Sequence, residues 1–443
     1  MDKTPLLTEG DVNLSPFRIA WQAGLEKETN DLLQSDARYF LHQSLSTPCL
    51  NVIESAEGIY ITDIQGKKYM DFHGNNVHQV GHRNPYVIEK VKAQLDHLPF
   101  CPRRYTNQPI IELAKKLVGL MPSGLSRVLF CPGGTSAIGM ALKLARVITG
   151  KTKVVSYVDS FHGASLDAIA AGGEDQFKKY MGEFTDTINI PGPDNYRSPE
   201  AGEANSLAAF EKVLKENKQV GAFMAETIRN TDVQIPSYSY WKSIRALCDE
   251  YKVLLILDEI PIAFGRTGKM FAFEHYGIEP DILCLGKGLG AGIIPMAGII
   301  AREEYNIAEE VSLGHYTFEK NPLGAAAGLA MLEFIDQHAL LDQAKSCEAF
   351  LNKKLSALKE KYPVIGDIRG IGLLWGIELV KDPVTKERDT ELASRVMYRC
   401  LEKGLSFKVS QGNVLQWVPP LTIKESELQE AVDILEKALT QEI

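Results

Sequence analysis

Lys287 stands in Gly286-Lys-Gly288 after the apolar run Ile282-Leu-Cys-Leu, and Asp258 closes the run Val253-Leu-Leu-Ile-Leu-Asp258. Each run reads as a parallel strand buried on both faces, with its charged residue at the carboxyl end. In open α/β sheets that edge is where ligands sit. A lysine there is either a solvated edge residue or a desolvated amine. Desolvation lowers its pKa and makes it competent to form a Schiff base. A carboxylate ending such a strand is costly to bury unless it meets a cation or a donor. A pyridinium N–H is such a donor, and the pairing holds the ring as an electron sink. A helix cap or a structural ion pair is the plainer alternative for Asp258.

Gly133-Gly134-Thr135 lies between the strand-like Val128-Leu-Phe and a helical pattern with Ile138, Ala141, Leu142, Ala145 and Ile148 on one face. Free amides at a helix start favour a phosphate, and Thr135 adds a hydroxyl. The same pattern also serves as a simple turn. Ser160-Phe161-His162-Gly163 follows another strand, and Phe161 can stack on a planar ring or sit in a core. A phosphate cradle, a ring stacker, an acid and an amine occur in this order at successive sheet edges. Pyridoxal 5′-phosphate requires that set.

The elements that must position them alternate. Helices are expected near 85–97, 109–120, 136–148 and 240–251, and strands at Lys153-Val-Val-Ser-Tyr and Ala222-Phe-Met-Ala. That rhythm is α/β with a mostly parallel sheet. Residues 1 to about 45 read as helical, and 58–71 as a hairpin turning on Gly66. Long helices near 322–360 with a break, a strand at Gly372-Leu-Leu-Trp and a last helix near 426–440 suggest a smaller α+β unit.

The 443 residues imply two domains around one site. A net charge of −9 disfavours nucleic acid or an anionic membrane as the main partner. The seven cysteines are scattered without a C-x-x-C, which is a reduced, cytoplasmic pattern. No signal peptide is evident at the start, and the longest uncharged run, 288–301, is too short to span a bilayer.

The assembled motifs resemble those of class III, fold-type I aminotransferases over nearly the whole chain. As they stand here they are GIYITDIQGKKYMDF, GHRNP, GGTSAIGMALKLAR, FHGAS, LLILDEIPIAFGRTGK, PDILCLGKGLGAG, HYTFEKNPLGAAAG, IRGIGLLWGIEL and WVPPL. The resemblance implies an α/β fold of the PLP-dependent transferase type, with a large domain at 76–325 built on a mostly parallel, seven-stranded sheet. Residues 1–75 and 326–443 would form the smaller α+β domain. It implies Lys287 as the Schiff-base lysine and Asp258 at the pyridine nitrogen, the two catalytic groups. Gly134 and Thr135 would hold the phosphate and Phe161 would cover the ring. Thr317 would reach the phosphate of the neighbouring subunit's cofactor, so a homodimer with shared sites is implied.

Departures from the family pattern point to a changed reaction. Members that use α-keto acids carry an arginine three residues before the first proline of PPL, and here that residue is Gln416. A neutral amide cannot replace a bidentate guanidinium–carboxylate pair, and losing one buried charged partner costs roughly 3–5 kcal/mol. Glu226, onto which that arginine swings in some members, remains without it. Pro261 stands for the glutamine of DEVQ, Ser136 and Gly139 stand where acids are expected, and Glu319-Lys320 replaces a Gly-Gly.

A transaminase needs two substrates in turn, whereas a lyase needs one. The family includes lyases of phosphoethanolamine, phosphohydroxylysine and hydroxylated aminoethylphosphonate, and the pattern here resembles the last most. What this implies is β-elimination from a small phosphonate-bearing amine, with Lys287 taking a proton from the amine-bearing carbon and an aldehyde and ammonia as products. An ω-amine or aminoethylphosphonate transaminase and a phosphoethanolamine-type phospho-lyase are the alternatives. Arg103, Arg104, Lys320 and Lys408 are the candidate cations for the substrate's acid, with Gln416 beside it. His73, His78 and His82 cluster in sequence, but no further ligating group accompanies them, and no metal is expected.

Overall fold

The computed structural model describes residues 15–43 and 49–443. Its centre is a seven-stranded sheet in the order 125–131, 297–302, 282–285, 254–258, 220–226, 153–157, 187–190. The strands 187–190, 153–157, 220–226, 254–258 and 282–285 pair in parallel. Ala297–Arg302 runs antiparallel to both its neighbours. The apolar runs are continuous because each strand is covered twice. Leu255 and Leu257 belong to one hydrophobic cluster, Leu254 and Ile256 to the other. Burying each such side chain is worth about 1.5–3 kcal/mol.

Local signals set the helix boundaries. The side chains of Asn84, Asn107 and Asn321 accept hydrogen bonds from first-turn amides of helices 85–97, 108–119 and 322–337, each with proline at its start. Gly150, left-handed at φ 64°, closes helix 134–149. The expected break in the long C-terminal helical stretch falls between Gln337 and Leu340. The N-terminal helices are Pro16–Ala23 and Lys27–Tyr39, while residues 1–14 and 44–48 of that expected helical region lie outside the described residues.

Two further sheets complete the fold. One has the order 53–57, 60–63, 68–71, 405–406, and the other is built on 365–371, 374–382, 414–417 and 408–410. The hairpin at 60–71 joins the C-terminal region through the parallel pairs Leu405↔Met70 and Ser406↔Asp71. The grouping of residues 1–75 with 326–443 requires such a link. The strand Thr187–Ile190 was not expected from sequence, being four residues at the sheet's edge with little apolar periodicity.

Candidate active site

Parallel pairing places Glu226 beside Asp258, and Asp258 beside Cys284, at the carboxyl edge of the central sheet. Lys287 opens the short turn 287–290 just past strand 282–285. Its own backbone is left-handed, φ 46°, a strained conformation for a lysine. Glycine at the next position leaves room for the buried Gln79 amide, which a Cβ on Gly288 would displace at 2.3 Å.

The Lys287 side chain is accessible to solvent but lies low among the surrounding protein, between buried neighbours in sequence. Touching water and lying near bulk water differ, and the second governs an amine's charge. Removal from bulk solvent pulls the Lys287 pKa below the ordinary lysine value, against the opposing pull of Asp258 and Glu226. Burial, then the charge on Asp258, raises Glu226 to about 7, and its Oε2 accepts the Asn230 N–H at 2.7 Å. Glu226 thus keeps a partner although no arginine stands at position 416.

Asp258 is buried, and each of its carboxylate oxygens accepts one hydrogen bond, leaving a lone pair on each. Its Oδ2 accepts from His162 Nδ1 at 2.8 Å, and its Oδ1 from the Ile260 amide at 3.0 Å. These bonds fix the carboxylate's plane. The far nitrogen of His162, Nε2, is buried without a protein partner. Sequence had singled out the neighbouring Phe161 and not His162 as an orienting group. The only available signal was a histidine after a strand end, and its pairing with a residue 96 positions away needs the fold. Phe161 remains partly exposed, with its ring 4.7 Å from Phe177.

Helix 134–149 begins at Gly133 with no side-chain cap, and no hydrogen bond to the amides of Gly134 or Thr135 is found among the described residues. Ile260 packs so closely that a Cβ on Gly134 would lie 3.1 Å from it. Thr135 Oγ1 accepts the Ala164 N–H at 2.8 Å, leaving its own proton to give. An uncapped helix start with a hydroxyl, an oriented buried acid and an enclosed amine fit a phosphate, a ring nitrogen and a carbonyl carbon respectively. The donor set fits pyridoxal 5′-phosphate.

Gly163 holds the cradle closed, because at φ 137° a Cβ there would fall 1.9 Å from Thr135 Oγ1. Gly163→Ala is therefore expected to cost about 1–3 kcal/mol through overpacking and to lower cofactor retention. Urea denaturation and the cofactor content of the purified variant check this. The acid absent at position 139 is supplied from elsewhere, since a Cβ on Gly139 would meet Asp167 Oδ2 at 2.5 Å.

The candidate substrate cations separate into two places. Lys408 lies opposite Gln416 across an antiparallel pair, at the cleft. Gln416 is buried, and its Nε2 donates to the Asn230 carbonyl. Arg103 and Arg104 belong to a loop that packs on the 317–320 segment: Phe100 meets Phe318 at 5.3 Å, and Asn107 Nδ2 donates to the Lys320 carbonyl at 3.0 Å. Among the described residues no hydrogen bond, ion pair or ring contact joins Arg104, Thr317 or Lys320 to Lys287 or Asp258. Arg229, unremarked in the sequence, is close to Glu226 and Glu174 and pairs with Asp232 at 2.9 Å.

The histidine cluster does have a carboxylate companion, contrary to the sequence reading: atoms of Asp71, His78 and His82 lie within 4.8 Å of one another. Asp71 is spent in hydrogen bonds. Its Oδ1 accepts the His73 and Gly74 amides at 3.0 and 2.8 Å, and its Oδ2 accepts from His82 Nε2 at 2.8 Å. It works as a clasp on the turn leading into the cleft. His73 itself faces Lys287 and Lys408 electrostatically, and burial with Lys408 holds it down to about 4, so the ring is neutral.

Residues 42–439 match the family described as aminotransferase class III. The chain belongs to that family. This class III member is 51% identical to the (R)-1-hydroxy-2-aminoethylphosphonate ammonia-lyase of Vibrio splendidus (strain 12B01), over 99% of this chain and 96% of that protein. It is 36% identical to a leucine/methionine racemase of Thermococcus litoralis, covering 92% and 95% of the two chains. Among solved structures it resembles a Bacillus anthracis aminotransferase, with a TM-score of 0.88 and 30% identity over 94% of this chain and 99% of that one. It also resembles the ω-transaminase of Pseudomonas jessenii in complex with PMP, with a TM-score of 0.87 and 28% identity over 93% and 98%. The fold is that of the fold-type I enzymes, and the cofactor of this class III protein is pyridoxal 5′-phosphate.

Proposed function

We propose that the protein is an ammonia-lyase that converts (R)-1-hydroxy-2-aminoethylphosphonate to phosphonoacetaldehyde and ammonia. The observation that carries this reading is position 416, where a neutral amide tied to the Asn230 carbonyl occupies the place of the keto-acid clamp. The full-length likeness to an enzyme named for that reaction supports the substrate.

When bound, pyridoxal 5′-phosphate supplies an electron sink for charge developing on the amine-bearing carbon. The amides of Gly134 and Thr135 would hold its phosphate, Asp258 its ring N–H, Phe161 its face and Lys287 its carbonyl carbon. Asp258, oriented by His162 and the Ile260 amide, keeps negative charge where the ring proton must stay. Lys287, enclosed and biased toward its neutral form, takes a proton from the amine-bearing carbon of the substrate. The C–O bond on the adjacent carbon breaks, and hydroxide leaves with the bonding pair. The released enamine takes up water, giving the aldehyde and ammonia, so the hydroxide and proton lost balance the water consumed.

The charge environment of Lys287 predicts a pH effect. Glu226 raises the amine's pKa, so Glu226→Gln lowers it further, and neutral amine is present at lower pH. The rising limb of kcat against pH is expected to move to lower pH in that variant. An unmoved limb would mean that Lys287 is not the group titrating.

Thr317, Arg104 and Lys320 make no hydrogen bond, ion pair or ring contact with Lys287 or Asp258 among the described residues, which leaves them available to the cleft of a second copy in a homodimer, as in the family. We infer the family's division, with a large domain at 76–325 and residues 1–75 joining 326–443 in the smaller one. Cys101, Cys131, Cys248, Cys284, Cys347 and Cys400 are free thiols, which suits the reducing cytoplasm, and no helix among the described residues is long and apolar enough to cross a membrane.

A transaminase is the second reading, supported by the likeness to solved aminotransferases. A panel assay of ammonia release separates the substrates. Release from (R)-1-hydroxy-2-aminoethylphosphonate, and not from phosphoethanolamine or 2-aminoethylphosphonate, is the expected result. Preference for phosphoethanolamine would reassign the leaving group to phosphate.

A further inference from the structure

The segments 71–73, 405–408 and 416–418 are brought edge to edge by backbone bonds. The Phe72 amide donates to the Ser406 carbonyl at 2.8 Å, and the Val418 amide to the Phe72 carbonyl at 2.8 Å. Alternate side chains then divide between two faces. On the inner face the Trp417 ring meets Phe72 at 5.2 Å and Phe407 at 6.3 Å. Lys408 and Gln416, each one residue on, share the opposite face because they are direct antiparallel partners. Such partners have Cβ atoms about 4.5–5.5 Å apart. That face looks onto the cleft, since Gln416 reaches the Asn230 carbonyl and the Asn230 amide holds Glu226.

From this geometry we propose that Lys408 is the anchor for the tetrahedral acid group of the substrate, taking over from the neighbouring strand the role of the cation missing at position 416. The naming of that acid as a phosphonate rests on the lyase reading; the need for an anion does not. The other nearby cations are committed. Arg229 is paired with Asp232 at 2.9 Å, and Arg369 with Glu378 at 2.8 Å and Asp367 at 3.1 Å. Lys287 is taken by the cofactor. Lys408, like Lys287, has no hydrogen bond or ion pair among the described residues, and unlike Lys287 it is not needed by the cofactor. The charge on Lys408 is felt at Lys287, His73 and Glu174, which places it within the same enclosed space.

The change of residue type carries specificity. A guanidinium presents a planar fork that matches a planar carboxylate with two parallel bonds. An ammonium is a compact charge with three donors and no preferred plane, which suits a tetrahedral oxyanion equally from any side. Moving the cation to position 408 and leaving an amide at 416 therefore shifts preference from carboxylates toward phosphonates and phosphates.

The test uses the cofactor-loaded enzyme and two inert probes, ethylphosphonate and propionate, with binding measured by calorimetry. The wild type is expected to bind ethylphosphonate more tightly than propionate. Lys408→Met is expected to weaken ethylphosphonate roughly 10–100-fold, as loss of a hydrogen bond to a charged group does, with cofactor content unchanged. Lys408→Arg should restore much of the binding while narrowing the margin over propionate. No measurable ethylphosphonate binding by the wild type, or Lys408→Met binding within twofold of it, would overturn the proposal. Should the methionine variant fail to fold, Lys408→Gln is read by the same criteria. Ammonia assays on the wild type alone test the lyase reading, so the two failures are distinguishable.

Discussion

Lys287→Ala is expected to lower kcat for ammonia release by about 10⁴ or more. A positioned base alone contributes typically about 10²–10⁴, and the covalent hold on the cofactor is lost with it. The variant should still fold. No hydrogen bond or ion pair to the Lys287 side chain is found among the described residues, so truncation leaves no partner stranded. The left-handed backbone at φ 46° is no worse for alanine than for lysine. Borohydride should fix the cofactor to the wild-type peptide containing residue 287 and not to the variant. A kcat within tenfold of wild type would remove Lys287 from the chemistry.

The second large effect is at Asp258. Asp258→Asn keeps the shape and removes the charge that His162 and the Ile260 amide orient. Removing one preorganised electrostatic partner of the reacting system typically lowers kcat by about 10²–10³, and a loss of that order is expected. The same substitution withdraws a negative charge from beside Glu226 and Lys287. Glu226, raised to about 7 partly by Asp258, should then titrate lower, and Lys287 should lose its proton at lower pH. A variant with nearly full kcat would show that the ring nitrogen needs no acid here.

Much of this was legible in the residues. Runs such as Leu254–Asp258 and Ile282–Leu285 announce doubly buried strands because nothing polar interrupts them, and the Asn-Pro pairs at 84–85 and 321–322 announce helix starts. Lys287 and Asp258 were visible because each is a lone charge ending such a run. The reversed direction of Ala297–Arg302 was not legible, since a two-faced apolar strand reads alike in either sense. The nearness of His73 to Lys408 was hidden for another reason. It depends on pairing Met70 with Leu405, and no local periodicity records a register between segments so far apart. Asp167 in the space left by Gly139 belongs to the same class of facts.

The central claim is that an enclosed lysine works on one substrate at a time in a cleft that has given up its grip on keto acids. Counting ammonia produced per active site from (R)-1-hydroxy-2-aminoethylphosphonate, with every carbonyl acceptor excluded, tests it most directly. Linear release far beyond one equivalent, matched by aldehyde, is the predicted result. A single equivalent that stops, and resumes only when pyruvate or another acceptor is added, would contradict it.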